Sequence, residues 1–469
     1  MIKQITAALY SLTLLSNTGV HATMPSENTA STKADAIMNI RNLLQEYLED
    51  NGTPGAAVGL IDHGKVRFFC SGKMALDGPS VTEDTIFEIG SITKVFTTFA
   101  LMDMVVKEKA QLNDPIEKYL PGTQVPVFQG KKITLRHLAT HTSGLPRMPN
   151  NMNPKDATNP YQDYTVESLI KFLQSCTLSR APENSLEYSN VGMGLLGYIL
   201  SLRAEKSYEK LIQDLVAQEF DMPNTTIEIT DSQRPNFSDG HHMQAIVSHW
   251  DLPLAIAGAG ALRSTVRDMT NFLAANLGML QSPLCKVLQK CHEKQPPLEF
   301  SVGLGWVLSN IHDTNIVWHS GGTGGFRSFL GFSPKLQKGI VILSNSTEDW
   351  PEELGRLFLI PNYKRDAINK ALANDIGYLN KFVGSYEAIL SDNLPKQQLQ
   401  ISVFGKMLAS ALSGGEVGML YPESYGVFGV KGFPDGKVSF SFDDAGNISH
   451  VEARLVSNGT ILWKATPNR

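Results

Sequence analysis

The chain reads Ser91-Ile-Thr-Lys94 at the start of an apolar run that continues to Met102. If a helix begins at Ser91, Lys94 lies on the same face, because residues three apart are neighbours on a helix. The lysine amine is then close to the serine hydroxyl, and the helix N-terminus adds unsatisfied N–H groups. An alcohol needs a base to become a nucleophile, and its attack creates an oxyanion that needs donors. The stretch therefore predicts a serine nucleophile with a lysine beside it.

The same spacing occurs a second time, at Ser207-Tyr-Glu-Lys210. This second copy follows Arg203-Ala-Glu-Lys206 and is typical of a solvent-exposed helix face. Short motifs of this kind are hypotheses that their surroundings must support. The first copy has Gly90 before the serine and apolar residues on both sides, so a buried lysine at that position needs a functional explanation.

Two further stretches offer partners for the serine. In Tyr188-Ser-Asn190 the phenol and the amide point together if the segment is extended, because alternate residues share a face. A tyrosine near a lysine has its anionic form favoured and is a candidate general base. In Trp318-His-Ser-Gly-Gly-Thr-Gly-Gly-Phe326 an apolar strand runs into glycines. Such glycines indicate either the close approach of a ligand or a turn between two strands.

The three stretches, in this order and spacing, resemble the serine β-lactamase and penicillin-binding-protein superfamily. The resemblance is closest to the class C branch, which includes D-alanyl-D-alanine carboxypeptidases and esterases and carries Tyr-x-Asn as its second element. Leu112–Pro121, Ile133–Pro146 and Val302–Trp306 look like the same branch, and the similarity runs from about Ala36 to Leu359. It implies an α/β fold in which an antiparallel sheet is flanked by helices, with a mainly helical region inserted and the site in the cleft between them.

Catalytic roles follow from the resemblance, residue by residue. Ser91 is implied to be the acylated nucleophile, and Lys94 and Tyr188 share the proton transfers, with the identity of the resting base left open. The backbone N–H groups of Ser91 and Gly322 are implied to form the oxyanion hole. The chemistry requires no cofactor.

Substrate-binding roles are implied for Asn190, at the acyl amide, and for Ser320, at a carboxylate. Most β-lactamases of this branch have Lys-Thr-Gly where this chain has His319-Ser-Gly321, which looks more like the carboxypeptidases and esterases. Histidine titrates near neutrality, whereas lysine keeps its charge. If a protonated His319 holds the carboxylate, acylation should weaken as the pH rises. Arg327 is an alternative source of fixed charge, or a surface residue.

The sequence thus predicts a serine hydrolase that cleaves β-lactams or peptides ending in D-alanine through an acyl-enzyme. A carboxylesterase of the same family, or a catalytically weak binding or regulatory relative, is the alternative. Asp239, His241-His242 and His249 match no metalloprotease spacing, so no metal site is predicted. His137 and His141 are interpreted as structural.

The N-terminus is typical of a secretory signal. A positive start, a mostly apolar stretch from Ile5 to Leu15 and small residues in Val20-His-Ala22 predict a signal peptide over residues 1–22. The apolar stretch is too short to span a membrane. The expected location is therefore the periplasm or the medium, with a small-molecule or peptide substrate as partner. A formal net charge of -5 with interspersed signs gives no case for nucleic-acid binding.

Four cysteines are too few to form a disulfide scaffold in a chain of 469 residues. Cys285 and Cys291 are close enough in sequence to pair in an oxidising compartment. The alternative is that the cysteines are small buried apolar residues.

Strand patterns at both ends of the predicted hydrolase domain, residues 36–359, indicate one shared antiparallel sheet around a mainly helical region from Ser91 to Ala274. The strands are predicted at Ala56–Ile61, Val66–Cys70, Ile316–His319, Phe326–Phe332 and Gly339–Leu343.

The composition changes near Ile360. A short helix around Tyr363–Ala373 is followed by strand patterns and turn signals, among them Pro434-Asp-Gly436. They predict a small antiparallel β domain over residues 376–469, which resembles the lipocalin-like tail of some class C-type hydrolases. Such a domain either binds part of a substrate or covers the hydrolase surface. The strand patterns begin at Phe382, Leu399, Lys437 and Ile461.

Overall fold

The structure is a computed structural model, and it describes residues 31–242, 245–296, 301–363, 370–389, 396–412, 417–431, 433–443, 445–455 and 461–468. The predicted signal peptide lies outside these residues. The chain separates into two compact units, the first ending at Pro361 and the second beginning at Asn362. None of the described helices combines the length and apolar content needed to cross a membrane.

The first unit contains both helices and strands. Its helices, in chain order, are α1 (Ser31–Asn51), α2 (Thr93–Val106), α3 (Leu135–Ala139), α4 (Val166–Ser175), α5 (Asn190–Ala204), α6 (Tyr208–Val216), α7 (Val266–Asn276), α8 (Leu284–Cys291) and α9 (Trp350–Leu359). Its strands are β1 (Gly55–Asp62), β2 (Lys65–Gly72), β3 (Ile86–Glu88), β4 (Val127–Phe128), β5 (Lys131–Lys132), β6 (Gly240–His242), β7 (Ala245–Val247), β8 (Arg263–Thr265), β9 (Val307–Ile311), β10 (Thr314–Gly322), β11 (Arg327–Ser333) and β12 (Lys338–Ser344).

The main sheet is antiparallel and has the strand order β2-β1-β12-β11-β10-β9. The N-terminal hairpin therefore joins the C-terminal strands through β1 and β12, whose register pairs Val58 with Ile342. The predicted strands all overlap strands of this sheet, so the predicted fold class is confirmed. Strand β9 was not predicted; it pairs with β10 at the edge of the sheet, and all of its residues are half-buried.

Helices cover both faces of the sheet. A Cβ added to Gly339 would lie 2.6 Å from the side chain of Leu273, which places α7 against one face. A Cβ added to Gly355 would lie 2.2 Å from the ring of Phe329, which places α9 against the face that Phe329 shares with its cross-strand partner Ile342. Positions 339 and 342 of one strand point to opposite faces, because side chains alternate along a strand. The absence of a side chain at these glycines lets the helices approach closely.

Cysteines do not pair in this structure. Cys285 and Cys291 lie at either end of α8, and all four cysteines are free thiols. Cys285 Sγ lies 3.5 Å from the carbonyl of Leu280, and Cys291 Sγ lies 3.8 Å from that of Thr98. Both are buried, as expected for small apolar residues.

The second unit contains a closed barrel of eight antiparallel strands, β13 to β20, paired in chain order. The strands are β13 (Gly384–Ile389), β14 (Gln397–Phe404), β15 (Met407–Leu412), β16 (Val417–Ser424), β17 (Val427–Val430), β18 (Phe433–Phe442), β19 (Ile448–Leu455) and β20 (Ile461–Pro467), preceded by α10 (Lys370–Ala373) and α11 (Ile376–Asn380). The predicted turn at Pro434-Asp-Gly436 is wrong, since these residues belong to β18. Part of the helix predicted around Tyr363–Ala373 lies outside the described residues.

Aromatic side chains form the core of the second unit. The Phe382 ring lies 4.9 Å from that of Phe428 and 4.7 Å from that of Phe440, and Tyr378 and Tyr386 are buried in the same cluster. An eight-stranded barrel is just wide enough for its own side chains to fill it or to hold one small ligand. The aromatic cluster occupies part of this interior, and the role of the domain stays a prediction.

Candidate active site

Ser91 and Lys94 meet as the sequence predicted, although the α-helix starts later than expected. Ser91 lies in a 3₁₀ turn, Gly90–Ile92, and α2 begins at Thr93. The Lys94 Nζ donates a hydrogen bond to Ser91 Oγ at 2.9 Å and another to the carbonyl oxygen of Ala259 at 2.6 Å. The serine is partly accessible, whereas the lysine is fully buried.

The polar face of α2 explains how a lysine is held in the core. The Thr93 Oγ1 accepts a hydrogen bond from the N–H of Leu262 at 3.1 Å, and Thr97 Oγ1 donates one to the carbonyl of Gly258 at 2.7 Å. The small residues of Ala257-Gly-Ala-Gly260 let this backbone lie against the helix. Buried polar groups are tolerated when they are hydrogen-bonded in this way.

Burial lowers the pKa of Lys94 well below its usual range, and the positive charge of Arg147 lowers it further. Desolvation has this effect because it penalises the charged form of an amine. The neutral amine is the form that accepts a proton from a serine hydroxyl. The arrangement therefore provides a candidate general base in direct contact with a candidate nucleophile.

Tyr188 lies beside both residues. The Lys94 Nζ is 4.7 Å from the centre of its ring, and Ser91 lies near enough to its phenol to lower the pKa of Tyr188. Burial raises the pKa of Tyr188 to about 12, while Ser91 and Arg147 act in the opposite direction. The sequence predicted that the anionic form of Tyr188 is favoured, but desolvation of the phenolate outweighs the charge of Arg147. At neutral pH Tyr188 is thus a proton donor, and Lys94 is the group whose basic form is favoured.

His141, which was interpreted as structural, lies against this cluster. Its ring stacks on that of Tyr188, with the centroids 4.4 Å apart. Its Nδ1 accepts a hydrogen bond from the N–H of Ser189 at 3.0 Å, and its backbone is left-handed, with φ of +58°. Burial lowers the pKa of His141 well below its usual value, so the ring is neutral. The signal in the sequence was the place of His141 in Thr140-His-Thr-Ser-Gly144, within the Ile133–Pro146 stretch that resembles the family.

The start of α5 orients Asn190. Ser189 caps the helix, accepting a hydrogen bond from the N–H of Gly192 at 2.9 Å and donating one to the carbonyl of Pro146 at 2.7 Å. The Asn190 Nδ2 donates to the sulfur of Met148 at 3.4 Å, a weak bond that a substrate carbonyl can replace. Among the described contacts, Asn190 has none with Lys94.

Glycines bring the end of β10 against the nucleophile. Gly90 has φ of +50°, and a Cβ added there would lie 2.7 Å from the N atom of Gly322. A Cβ added to Gly321 would lie 2.1 Å from the carbonyl oxygen of Ile89. Only glycine permits both approaches. They place the backbone of Gly322 next to the turn that carries Ser91. The N–H groups of these two residues must lie close together if they are to bind the same oxyanion.

His319 is close to the cluster, with its ring centroid 6.3 Å from that of Tyr188. Its Nδ1 donates a hydrogen bond to the carbonyl of Ser320 at 2.6 Å. Burial and the charge of Lys94 lower the pKa of His319 to about 3, so the ring is neutral near pH 7. The sequence analysis considered a histidine that titrates near neutrality; in the folded chain desolvation prevents this. Ser320 itself is partly accessible.

Arg327 lies at the site, since a Cβ added to Gly322 would be 2.7 Å from its Nη1, but its guanidinium is already paired. Its Nε donates to Asp349 Oδ1 at 2.6 Å, and its guanidinium also donates to the carbonyls of Phe326 and Thr323. No cluster of three or more potential metal ligands occurs in the described parts of the chain. His241 and His249 instead contact the backbone carbonyls of Asn345 and Ser238.

The chain matches the Beta-lactamase family over residues 40–360. It belongs to that family. Beta-lactamases from Yersinia enterocolitica and Escherichia coli (strain K12) are 28% and 27% identical to it over 369 and 362 residues. Each alignment covers 69% of this chain, and they cover 91% and 92% of the two relatives.

A solved structure, the beta-lactamase/D-alanine carboxypeptidase from Yersinia pestis complexed with citrate, aligns with 70% of this chain and 98% of its own. The TM-score is 0.63 and the sequence identity 24%, a level that shows the fold. The beta-lactamase-family chain described here therefore has the fold of a serine hydrolase, with Ser91, Lys94 and Tyr188 in mutual contact within it.

Proposed function

We propose that this chain is a serine hydrolase that acts through an acyl-enzyme on Ser91, of the class C β-lactamase or D-alanyl-D-alanine carboxypeptidase type. The observation that carries the proposal is the 2.9 Å hydrogen bond between Lys94 Nζ and Ser91 Oγ, made by a lysine that is fully buried. Among the described residues no carboxylate is bonded to the Lys94 amine, so burying this lysine is costly to the fold, and its presence there supports a use for the neutral amine.

In the proposed mechanism Lys94 accepts the Ser91 proton as the hydroxyl attacks the acyl carbonyl. The oxyanion is stabilised by the N–H groups of Ser91 and Gly322, and Asn190 contacts the amide of the acyl group. Tyr188, protonated at neutral pH, donates a proton to the leaving nitrogen. Water then hydrolyses the ester, with the same groups carrying the protons in reverse.

The substrates we propose are β-lactams or peptides that end in D-alanine. This assignment is supported by the names of the relatives and by the Tyr188-Ser-Asn190 element. A carboxylesterase is the second candidate. The observation that favours it is the neutral, buried His319 at the position where most β-lactamases of this branch carry a lysine.

An intact-mass time course of the mature protein with benzylpenicillin distinguishes these activities. An adduct that forms and clears quickly indicates a β-lactamase, and one that persists indicates a carboxypeptidase-type protein with slow deacylation. Peptide mapping should place the adduct on Ser91. If benzylpenicillin gives no adduct but small acyl esters do, the protein is the esterase; if neither acylates Ser91, the proposal fails.

We also propose export to the periplasm or the medium, with the mature chain starting near Thr23. The charged start and apolar stretch of the first 22 residues support it. N-terminal sequencing of the protein from fractionated cells tests the cleavage, and an intact Met1 in the cytoplasmic fraction would contradict it.

A further inference from the structure

Arg147 lies in a short loop, Pro146–Pro149, that is attached to the start of α5 residue by residue. The carbonyl of Pro146 accepts a hydrogen bond from Ser189 Oγ at 2.7 Å, and the carbonyl of Arg147 accepts one from the N–H of Asn190 at 2.9 Å. The sulfur of the next residue, Met148, accepts the 3.4 Å bond from the Asn190 amide. The loop is therefore fixed to the segment that carries Tyr188, and a proline at each end restricts it further.

The guanidinium of Arg147 projects over the tyrosine. Its Cζ lies 5.1 Å from the centre of the Tyr188 ring, the same ring that Lys94 Nζ approaches to 4.7 Å. Arg147 is exposed, and within the described residues its guanidinium has neither a hydrogen bond nor an ion pair. All its N–H donors are thus available at the mouth of the site.

The other basic groups around the site do not provide a free positive charge. Lys94 and His319 have lowered pKa values because both are buried, and His319 is neutral near pH 7. Arg327 is bound to Asp349 at 2.6 Å. Arg147 is consequently the arginine at this site whose charge has no counter-ion in the described part of the chain.

We infer that Arg147 recognises an anionic group of the substrate, so that acyl compounds bearing a carboxylate near the scissile bond are preferred over their neutral amides. A guanidinium binds a carboxylate through two parallel N–H···O bonds, a geometry that neither a lysine nor a neutral histidine provides. The inference rests on the proposed acyl-enzyme function, and it transfers to Arg147 the carboxylate role that the sequence analysis considered for His319. It makes Arg147 a specificity-determining residue, while the chemical step remains with the buried cluster.

The test uses a matched pair of substrates, an acyl-D-alanyl ester with a free C-terminal carboxylate and the same ester as its primary amide. Arg147→Gln should lower kcat/KM for the carboxylate by about 10- to 100-fold more than for the amide, as expected for one charged hydrogen-bonded pair. Any change common to both esters reports the effect of the Arg147 charge on Lys94 and Tyr188. Arg147→Lys should recover part of the loss. Arg327→Gln is the matched control, because its guanidinium is already bound, and it should not discriminate between the two esters.

An equal fall for both esters would overturn the inference, since Arg147 would then act through Tyr188. An absence of any effect would overturn it as well. A second measurement does not depend on turnover: calorimetric titration of Ser91→Ala protein, with and without Arg147→Gln, with N-acetyl-D-alanine and its amide. If only the carboxylate binds and Arg147→Gln abolishes its binding, Arg147 is the carboxylate-binding group, even where no adduct forms and the proposed function fails. Equal or absent binding of the two ligands contradicts it.

Discussion

Two copies of Ser-x-x-Lys occur in this chain, and they differ in almost everything except their spacing. In the first, Lys94 is fully buried and its amine bonds Ser91 Oγ. In the second, Ser207 caps α6 by accepting the N–H of Lys210, whose side chain is 62% exposed and pairs with Asp214 one turn later. One serine hydroxyl faces an amine, and the other faces its own backbone.

The difference shows that the motif acquires its chemistry from other segments. The 3₁₀ turn ahead of α2 and the carbonyl of Ala259 hold the first lysine in the core, where its charged form is disfavoured. The lysine of the second copy, Lys210, is instead exposed to solvent and paired with the carboxylate of Asp214. Spacing brings two side chains together, and burial decides whether one can act as a base.

We expect the largest difference in activity between the two serine variants, Ser91→Ala and Ser207→Ala. Ser91→Ala should abolish the covalent adduct and lower kcat on the order of 10⁴- to 10⁶-fold, as loss of a nucleophile does elsewhere. Ser207→Ala should lower the free energy of unfolding by about 1 kcal/mol, through the lost helix cap, and leave acylation unchanged. Stopped-flow acylation and thermal denaturation measure the two. Full acylation of the Ser91→Ala protein would mean that another residue is the nucleophile.

The acylation rates of the two lysine variants should differ almost as widely. Lys94→Met, which keeps most of the buried volume, should slow acylation by about 10²- to 10⁴-fold, because the general base is removed. Lys210→Met should change the stability by only about 0.5 kcal/mol, the value of an exposed ion pair one turn apart, and should not alter acylation. Circular dichroism establishes that both variants fold. Equal rates in the two variants would show that Lys94 is not the base.

The approach of Gly90 to Gly322 predicts a smaller effect. Gly90→Ala forces a Cβ to within 2.7 Å of the Gly322 nitrogen, so acylation should fall about 100-fold through misplacement of the oxyanion donors. Gly64→Ala is the matched control, since Gly64 also has a positive φ, of +80°, but an added Cβ there meets nothing within 4 Å. It should cost about 1 kcal/mol of stability and no activity. A similar loss of activity in both variants would show that the close approach of Gly90 to Gly322 is not required for catalysis.

The pH dependence predicts the smallest change. Because the pKa of Lys94 is lowered, kcat/KM rises with pH up to that pKa and then stays level while Tyr188 keeps its proton. His319, with a pKa of about 3, does not change its charge between about pH 6 and pH 8. The rate with a carboxylate substrate should therefore not decline over that interval. A tenfold decline would restore the protonated His319 that the sequence analysis considered.

Much of the fold was predictable because its elements have local signals. The hairpin of β1 and β2 has two short apolar runs on either side of the turn at Gly64, and the glycines of the His319 segment mark the end of a strand. The barrel was predicted less completely. Strand β15, Met407–Leu412, has few β-branched or aromatic residues, so only its pairing with β14 and β16 makes it a strand.

The candidate site was predictable where side chains carry the chemistry, as for Ser91, Lys94 and Tyr188. Contacts made by the backbone were not predictable. Every residue has a carbonyl, so the sequence does not show that the carbonyl of Ala259 accepts a hydrogen bond from Lys94. Charge states were also out of reach. The sequence shows that His319 is a histidine, but only the packing shows that it is buried and neutral.

The bond from Lys94 to the Ala259 carbonyl has a consequence for mutational robustness. A main-chain acceptor is present whatever residue occupies position 259, so no substitution there can delete it; a larger side chain acts only by crowding the helix. Arg147 differs in this respect. Its guanidinium belongs to a side chain, so a single substitution removes it. The lysine's acceptor thus tolerates sequence change at its own position, whereas one substitution removes the exposed charge over Tyr188.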